Sequence, residues 1–257
     1  MTGVGPVLVV TMIDDPTADL VMSELHDRDV PVVQLDSGDF PATLSFAATL
    51  TPHGIEGSLS TPTRTADLSR VRSLYYRRPS GFAFTHLDEQ DTRFAVTQAR
   101  YGLGGVYKPL STPLYRVDGV SCTVEVAEVT ADQVDDRVAG TAHLFQHRVD
   151  KVADVRVTVI GREVFSVRID SDLLDWRTDY DRLTYSVVEP PPGITDALHR
   201  YLDHFGLVFG AFDFAVDRAG AWWFLECNPS GQWAWMEPET GLPMVAAMAD
   251  LLERKTA

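Results

Sequence analysis

The sequence has only two cysteines, and it has fewer basic than acidic residues. The two cysteines, Cys122 and Cys227, lie far apart and lack the spacing of a metal site. A disulfide framework is therefore not expected, and a reducing, cytoplasmic location is the default. The net charge of −15 argues against non-specific binding to nucleic acid, which requires a basic surface. It would also repel an acidic substrate unless a local basic cluster overcomes the field.

Long apolar runs, repeats and low-complexity tracts are missing as well. The one early apolar run, residues 6–12, is too short to span a bilayer, and no basic segment precedes it. We therefore expect neither a signal peptide nor a membrane anchor. What remains is an ordinary globular composition, 45% hydrophobic and 23% charged over 257 residues. This length predicts one large domain or two small ones.

The hydrophobic pattern predicts a mixed α/β (α+β) protein. Apolar strands at 7–10 and 30–35 flank a helix at 18–26, which forms an opening β-α-β unit. Further strands are predicted at 42–50, 54–59, 71–76, 106–110, 122–129, 142–148, 152–160, 163–169, 208–216 and 221–227. Further helices are predicted at 88–101, 194–206 and 242–254. A boundary near residues 104–106 divides the chain into domains 1–105 and 106–257.

The last predicted hairpin carries the strongest chemical signal. Asp213 is the lone charge in an apolar strand, and Glu226 and Asn228 share one face of the partner strand. A turn at 217–220 sets Asp213 opposite Phe224, with Glu226 on the adjacent diagonal. Two carboxylates and an amide oxygen are hard ligands that suit Mg²⁺ together with phosphate oxygens. The alternative is that both acids face solvent from an edge hairpin.

Four basic residues are candidates for holding anions. Lys108 is a single lysine in an apolar strand, and Arg156 shares a strand face with Asp154, where its planar fork suits carboxylate or phosphate. With Lys151 and Arg177, these residues could hold triphosphate and carboxylate in an otherwise acidic protein. The alternatives are an edge lysine that guards a sheet, a surface Asp154–Arg156 pair and plain surface charge at Arg177.

Several motifs occur in the order found in ATP-grasp ligases. They are Lys108 in a strand, the 144–147 segment, Lys151 with Asp154-x-Arg156, Asp213, and Glu226-x-Asn228. More closely, the sequence resembles the ATP-grasp peptide maturases, the macrocyclases that make omega-ester peptides such as the microviridins (graspetides), and within them the actinobacterial branch. This likeness runs over nearly the whole chain and rests on the stretches at 14–17, 75–79, 98–105 and 226–233.

The resemblance implies an ATP-grasp fold with an N-terminal Rossmann-like pre-ATP-grasp domain. It implies ATP and Mg²⁺ as cofactors and a ribosomal precursor peptide, with a leader and an Asp/Glu-rich core, as substrate. ATP would phosphorylate a side-chain carboxylate, and a Ser or Thr hydroxyl or a Lys amine would attack the acyl phosphate. The product would be a macrocyclic ester or amide. The resemblance further implies a cytoplasmic homodimer, with no membrane or nucleic-acid partner.

The resemblance also implies roles for individual residues. Asp213, Glu226 and Asn228 would bind Mg²⁺. Lys108 would contact the phosphates, and Arg156 and Arg177 would orient the acidic substrate or the transferred phosphate, so that these three form the catalytic set. The remaining nucleotide contacts would come from Lys151, Asp154 and the chain around Phe145, Gln146 and Arg148.

Two departures from the family pattern leave other functions open. In relatives a longer segment, with another nucleotide-contacting lysine, separates the blocks that meet here at residues 105–107, so the central domain is expected to be incomplete in this chain. Either the protein lacks this segment, or the protein has it and the residue numbers run on across it. In addition, the loop at 111–119 has one glycine where many ATP-grasp enzymes have a glycine-rich phosphate loop. The alternatives are a ligase that adds a free amino acid to a protein or peptide carboxylate, and a non-catalytic peptide-binding relative.

Overall fold

The computed structural model of the chain describes residues 5–51, 54–85, 87–92, 95–96, 99, 115–117, 120–122, 128–130, 147–174, 176 and 179–254. The elements of the first half are β1 (Val7–Val10), α1 (Pro16–Asp27), β2 (Val32–Leu35), β3 (Ser45–Thr51), β4 (Gly54–Ser60), β5 (Thr65–Asp67) and β6 (Ser73–Tyr76). Those that follow are β7 (Tyr115–Val117), β8 (Val120–Cys122), β9 (Lys151–Ile160), β10 (Glu163–Asp170), β11 (Thr184–Val187), α2 (Ile194–Phe205), β12 (Phe209–Asp217), β13 (Trp222–Asn228), α3 (Met236–Thr240) and α4 (Met244–Glu253).

The chain opens with a parallel three-stranded sheet of order β2-β1-β6. Every residue of β1 is buried, as expected for a central strand covered on both faces. Asp15 caps α1 by accepting a hydrogen bond from the Ala18 amide at 3.3 Å, and Pro16 lies in the first turn, where its missing N–H has no cost. The predicted β-α-β unit is confirmed.

A second, antiparallel sheet of order β3-β4-β5 follows this unit. The predicted hairpin over β3 and β4 is therefore confirmed. Its apolar side packs with one side of the first sheet, in a cluster that includes Leu8, Val10, Leu44 and Leu59. This arrangement leaves the other side of the first sheet to contact the rest of the chain.

A five-stranded antiparallel sheet of order β11-β10-β9-β12-β13 forms the second half. The predicted β9–β10 and β12–β13 hairpins and the helices α2 and α4 are all present. Gly206 ends α2 in the left-handed conformation, at a φ of 63°, which a glycine adopts without steric cost. One face of the sheet packs against α2, with Leu198 and Leu202 beside Phe212.

The two halves share one apolar core on the other face of the five-stranded sheet. This core joins Val9 and Leu25 of the N-terminal unit to Phe165, Trp233 and Met248 of the C-terminal half. The predicted boundary at residues 104–106 lies outside the described residues and stays a prediction. The shared core nevertheless means that the two halves bury each other's surface.

The middle of the chain differs in part from expectation. A short β7–β8 ladder ends at Cys122, and neither Val129 nor residues 147–150 lie in strands, although strands were predicted at 122–129 and 142–148. The described residues of the predicted 88–101 helix that are helical are 89–92, 95, 96 and 99. None of the helices in the described part of the chain combines the length and apolarity that a bilayer span needs.

Candidate active site

A row of charged residues crosses the five-stranded sheet on the face opposite α2. The register places Arg156 of β9 beside Asp213 of β12, and Asp213 beside Glu226 of the edge strand β13. Side chains of residues that are directly opposite project to the same face of a sheet. Three charges from three strands are therefore aligned on one face.

Arg156 and Asp213 form a buried, bidentate ion pair. Arg156 Nε donates to Asp213 Oδ1 at 2.6 Å, and Arg156 Nη2 donates to Asp213 Oδ2 at 3.0 Å. Arg156 and Asp213 are only 5% and 7% exposed, so solvent screens the pair little. The alternative in which Asp213 points to solvent is therefore wrong. Removing either partner would leave an uncompensated buried charge.

The last hairpin contains a β-bulge, and its register differs from the predicted one. Asp213 lies opposite Glu226 itself, and not opposite Phe224 as the turn predicts. The register shifts between Asp213 and Phe214, which leaves Leu225 as the extra residue of β13. The bulge brings the two carboxylates closer in register than the sequence pattern indicates. The prediction was two residues off. One residue comes from the turn, since Val216 pairs with Trp222, and the other comes from the bulge, which strand alternation does not show.

Two of the three candidate metal ligands lie on the edge strand β13. Glu226 and Asn228 are exposed, whereas Asp213 is buried beside Arg156. Burial, together with the charges of Asp213 and Glu226, raises the pKa of the intervening Cys227 thiol to about 11. In the described part of the chain no cluster of three His, Cys, Asp or Glu residues suits a metal. The candidate set is instead two carboxylates and one amide oxygen, which is a set that suits a hard cation with few protein ligands.

Lys151 and Asp154 are paired with each other at the start of β9. Lys151 Nζ donates to Asp154 Oδ2 at 2.6 Å and to the Leu174 carbonyl at 2.8 Å. Asp154 is 4% exposed, so the alternative of a surface Asp154–Arg156 pair is wrong. These contacts tie β9 to the loop that carries Trp176. The nucleotide contacts predicted for Lys151 and Asp154 stay predictions.

Arg148 is the one remaining predicted site residue that the structure describes, and it pairs outside this row. Arg148 is exposed and its Nη1 lies 2.5 Å from Glu128 Oε1. Lys108, Phe145, Gln146 and Arg177 lie outside the described residues, as do the segments at 105–107 and 111–114, so their predicted roles and the incomplete central domain stay predictions.

Sequence reasoning missed three residues that surround the ion pair. The Arg156 guanidinium lies 5.4 Å from the centroid of the Trp176 ring, which is within the range of a cation–π contact. Arg156 Nη1 donates to the Gln232 carbonyl at 3.0 Å, and the Gln232 side chain accepts from Arg77 Nη2 at 2.7 Å. Arg77 and Gln232 fall in the 75–79 and 226–233 stretches that carry the family resemblance. Their location in those stretches was the available signal.

A cavity of about 430 Å³ opens next to Gln232. It lies between the start of α1 and the chain around residues 180 and 232–238, and its lining includes Met12, Leu20, Tyr180 and Trp235. Trp235 and Tyr180 belong to an aromatic cluster with Trp176, with ring centroids 5.4–6.0 Å apart. An apolar cavity with a few polar groups, adjacent to buried charges, is a usual place for a substrate.

Comparison with known protein families gives a match for the N-terminal half. Residues 6–120 match the sequence profile of the MvdD pre-ATP grasp domain. The N-terminal half is therefore similar in sequence to this domain. A comparison with curated protein sequences gives no match.

Solved structures extend the likeness to the whole chain. A Chryseobacterium gregarium RiPP-associated ATP-grasp ligase, in complex with ADP and a leader and core peptide, superposes with a TM-score of 0.85 at 20% identity over 98% of both chains. The macrocyclase MdnC of Microcystis aeruginosa MRC, bound with precursor peptide MdnA, gives 0.80 at 20% identity over 96% of this chain and 98% of its own. The ATP-grasp ligase PsnB, complexed with a precursor variant, Mg and ADP, gives 0.72 at 17% identity over 97% and 98%. The chain thus has the ATP-grasp ligase fold with a pre-ATP-grasp domain, which confirms the predicted fold class.

Proposed function

We propose that this chain is an ATP- and Mg²⁺-dependent ligase that closes macrocyclic ester or amide links in a ribosomal precursor peptide. The observation that carries the proposal is the Arg156–Asp213–Glu226 row, which lies on the inner face of an ATP-grasp sheet. The structural relatives named above are a RiPP-associated ATP-grasp ligase, a macrocyclase and a further ATP-grasp ligase, each with a bound peptide or precursor, and two of them hold ADP. A row of charges with Arg156 and Asp213 buried and Glu226 exposed is well suited to stabilise phosphoryl transfer, which depends mainly on positioning and charge neutralisation.

The donor set fits a magnesium ion. Asp213, Glu226 and Asn228 offer hard oxygen atoms from two neighbouring strands, and Glu226 and Asn228 are exposed, so phosphate oxygens and water can complete a shell. Bound Mg²⁺ would supply charge neutralisation for the phosphates of ATP. Arg156 holds Asp213 in place through both carboxylate oxygens. Three of its five N–H donors are engaged by described residues, and we assign the other two to substrate or phosphate.

The reaction has two balanced steps. A side-chain carboxylate of the peptide attacks the γ-phosphorus of ATP, the bond to the bridging oxygen breaks, and ADP leaves. A Ser or Thr hydroxyl or a Lys amine then attacks the acyl carbon, inorganic phosphate leaves, and the nucleophile loses a proton. The net change in the peptide is the loss of one water for each link. Arg156, Arg177 and Lys108 are the residues that we assign to orienting these anions.

The proposal also covers the peptide substrate, its binding cavity, the cellular location and the oligomeric state. The peptide would carry a leader and an Asp/Glu-rich core, and we place the core at the cavity lined by Leu20, Tyr180 and Trp235, because this cavity adjoins Gln232 beside Arg156. The basic residues of the site would offset the net charge of −15, which otherwise repels an acidic core. We further propose that the enzyme works in the cytoplasm as a homodimer.

Intact-mass measurement of a cognate precursor peptide tests the proposal. With the protein, ATP and Mg²⁺, the peptide should lose the mass of one water per link, while ADP and phosphate appear in equal amounts. Omission of ATP is the control and should leave the mass unchanged. A gain equal to an amino-acid residue would instead indicate an amino-acid ligase. Peptide binding with no mass change and no ADP would indicate a non-catalytic relative.

A further inference from the structure

A buried polar network connects the N-terminal unit to the candidate active site. Arg77, which follows β6, and Asp15, which precedes α1, form an ion pair with Nε and Oδ2 3.3 Å apart. Their side chains are only 2% and 3% exposed. Asp15 is held from its other sides by the Thr11 hydroxyl at 2.8 Å and the Ala18 amide at 3.3 Å. The carboxylate therefore has a fixed orientation and fixes that of Arg77 in turn.

Arg77 extends from this pair to the turn that follows the candidate metal strand. Arg77 Nη2 donates to Gln232 Oε1 at 2.7 Å, and Nη1 approaches the Gly231 carbonyl at 3.5 Å. Thr17 Oγ1 also donates to Gln232 Oε1, at 3.2 Å. The amide oxygen of Gln232 is thus held by two residues of the N-terminal unit. The arginine fork contacts two consecutive residues of the turn, which a single-point lysine charge cannot do.

The same turn anchors the catalytic pair. The Gln232 carbonyl accepts from Arg156 Nη1 at 3.0 Å, and Arg156 grips both oxygens of Asp213. Gly231 packs so closely on β12 that a Cβ there would lie 2.6 Å from the Cβ of Ala211. The Gly231 amide also donates to the Asn228 carbonyl at 3.2 Å. A displacement of this turn would therefore move both Arg156 and Asn228.

Contacts other than those of Arg77 also join the two halves. The shared apolar core already joins them, and Arg28 pairs with Glu24, Asp250 and Glu253 at the surface. Arg72, 8% exposed, donates to the Gly5 carbonyl at 2.9 Å and to the Glu253 carbonyl at 3.1 Å, away from the site. A buried ion pair adds little net stability. The location of the Arg77–Asp15 pair beside the candidate active site therefore points to a role other than stability.

We infer that Arg77 is a positioning residue, which holds the Gln232 turn so that Arg156 and Asp213 keep their reactive geometry. This inference rests on the proposed function. Partners that orient the groups next to a metal site change activity or affinity by roughly 10- to 100-fold when they are removed. A misplacement of about 1 Å has a similar effect on rate. The contacts with Gln232 and Gly231 are the route by which Arg77 acts.

The test compares Arg77→Met with Arg72→Met. Both variants lose a buried arginine at one end of β6, but only the first loses contacts with the turn. In the ¹⁵N-labelled protein without ligands, the Arg156 Nε–H resonance, assigned by its loss in Arg156→Lys, should exchange with solvent at least about tenfold faster in Arg77→Met and unchanged in Arg72→Met. On the peptide, kcat should fall roughly 10- to 100-fold in Arg77→Met, with KM for ATP little changed.

A second variant keeps the test decisive if Arg77→Met does not fold. Gln232→Met keeps the carbonyl that Arg156 uses and keeps the Arg77–Asp15 pair, but removes the acceptor that Arg77 and Thr17 hold. Like Arg77→Met, Gln232→Met should speed the exchange of the Arg156 Nε–H and lower kcat. Arg77→Lys should restore the exchange rate and kcat only in part. Equal behaviour of the Arg77 and Arg72 variants after correction for the folded fraction would overturn the inference. If the wild-type protein leaves the peptide unchanged, the proposed function fails, and the exchange rate still decides the positioning role.

Discussion

The two faces of the five-stranded sheet are made by the same strands but have opposite chemistry. Val155 and Val157 of β9 pack with Phe212 on the face that α2 covers, whereas Arg156, between the two valines, pairs with Asp213 on the other face. Burying a valine stabilises the fold, but burying an ion costs several kcal/mol before its partner offsets it. We therefore attribute stability mainly to the first face and chemistry to the second. Each prediction below tests this division.

The largest effect on stability is expected from breaking the charged pair. Asp213→Leu leaves Arg156 buried without its carboxylate and should lower the free energy of unfolding by about 3–5 kcal/mol. Urea denaturation followed by circular dichroism measures this loss. Peptide modification should also disappear, because the central member of the charge row is removed.

The double variant separates the pair's contribution to stability from its role in the reaction. Arg156→Met combined with Asp213→Leu replaces both charges with apolar groups, and its stability should return to within about 1 kcal/mol of the wild type or exceed it. It should remain inactive. A double variant as unstable as Asp213→Leu alone would mean that the pair is a net stabilising contact, and the division between the faces would fail.

A smaller effect is expected one residue away, on the apolar face. Val157 is fully buried, and Val157→Ala removes two methyl groups and leaves a small cavity, at a cost of about 2 kcal/mol. Turnover per folded molecule should stay at the wild-type level, because the Arg156–Asp213 register is kept. Urea denaturation measures the loss of stability, and the peptide mass assay measures turnover. Loss of turnover without unfolding would show that the faces are coupled.

The pH dependence of stability tests the second buried ion pair. Burial raises the pKa of Asp15, but the Arg77 charge and the hydrogen bonds from Thr11, Arg77 and Ala18 outweigh it and hold the pKa below the usual 3.8. A carboxyl with a lowered folded-state pKa contributes stability above pH 3.8 and loses it as the pH falls through the folded-state value. The stability difference between wild type and Asp15→Asn should therefore be constant above pH 3.8 and shrink below it. A difference that stays constant in acid would contradict this assignment.

The local elements could be predicted from the sequence because they depend on neighbouring residues. The hydrophobic pattern predicted the β-α-β unit, the hairpins and α2. The face shared by Asp154 and Arg156 was also predictable. These features need no knowledge of what lies across the sheet.

The connections within the site could not be predicted in the same way. The Arg156–Asp213 contact joins residues 57 apart, and the Arg77–Gln232 contact joins residues 155 apart. Such contacts depend on the order of strands in the sheet and on the docking of the two halves, neither of which has a local signal. The bulge opposite Asp213 likewise depends on how the edge strand packs. Charge type in the sequence therefore indicated the chemistry, and tertiary packing decided the partners.

The smallest effect on stability, with a large effect on activity, is expected at the exposed end of the charge row. Glu226 is exposed on the edge strand, so Glu226→Gln should change the free energy of unfolding by less than about 0.5 kcal/mol. If Glu226 holds Mg²⁺, ADP release with peptide should fall roughly 100-fold or more, as when one group that stabilises transition-state charge is removed. Glu163→Gln, at another exposed strand position, is the matched control and should change neither quantity. Because Glu226 contributes little to packing, a variant with full activity would remove the metal assignment without any ambiguity from unfolding.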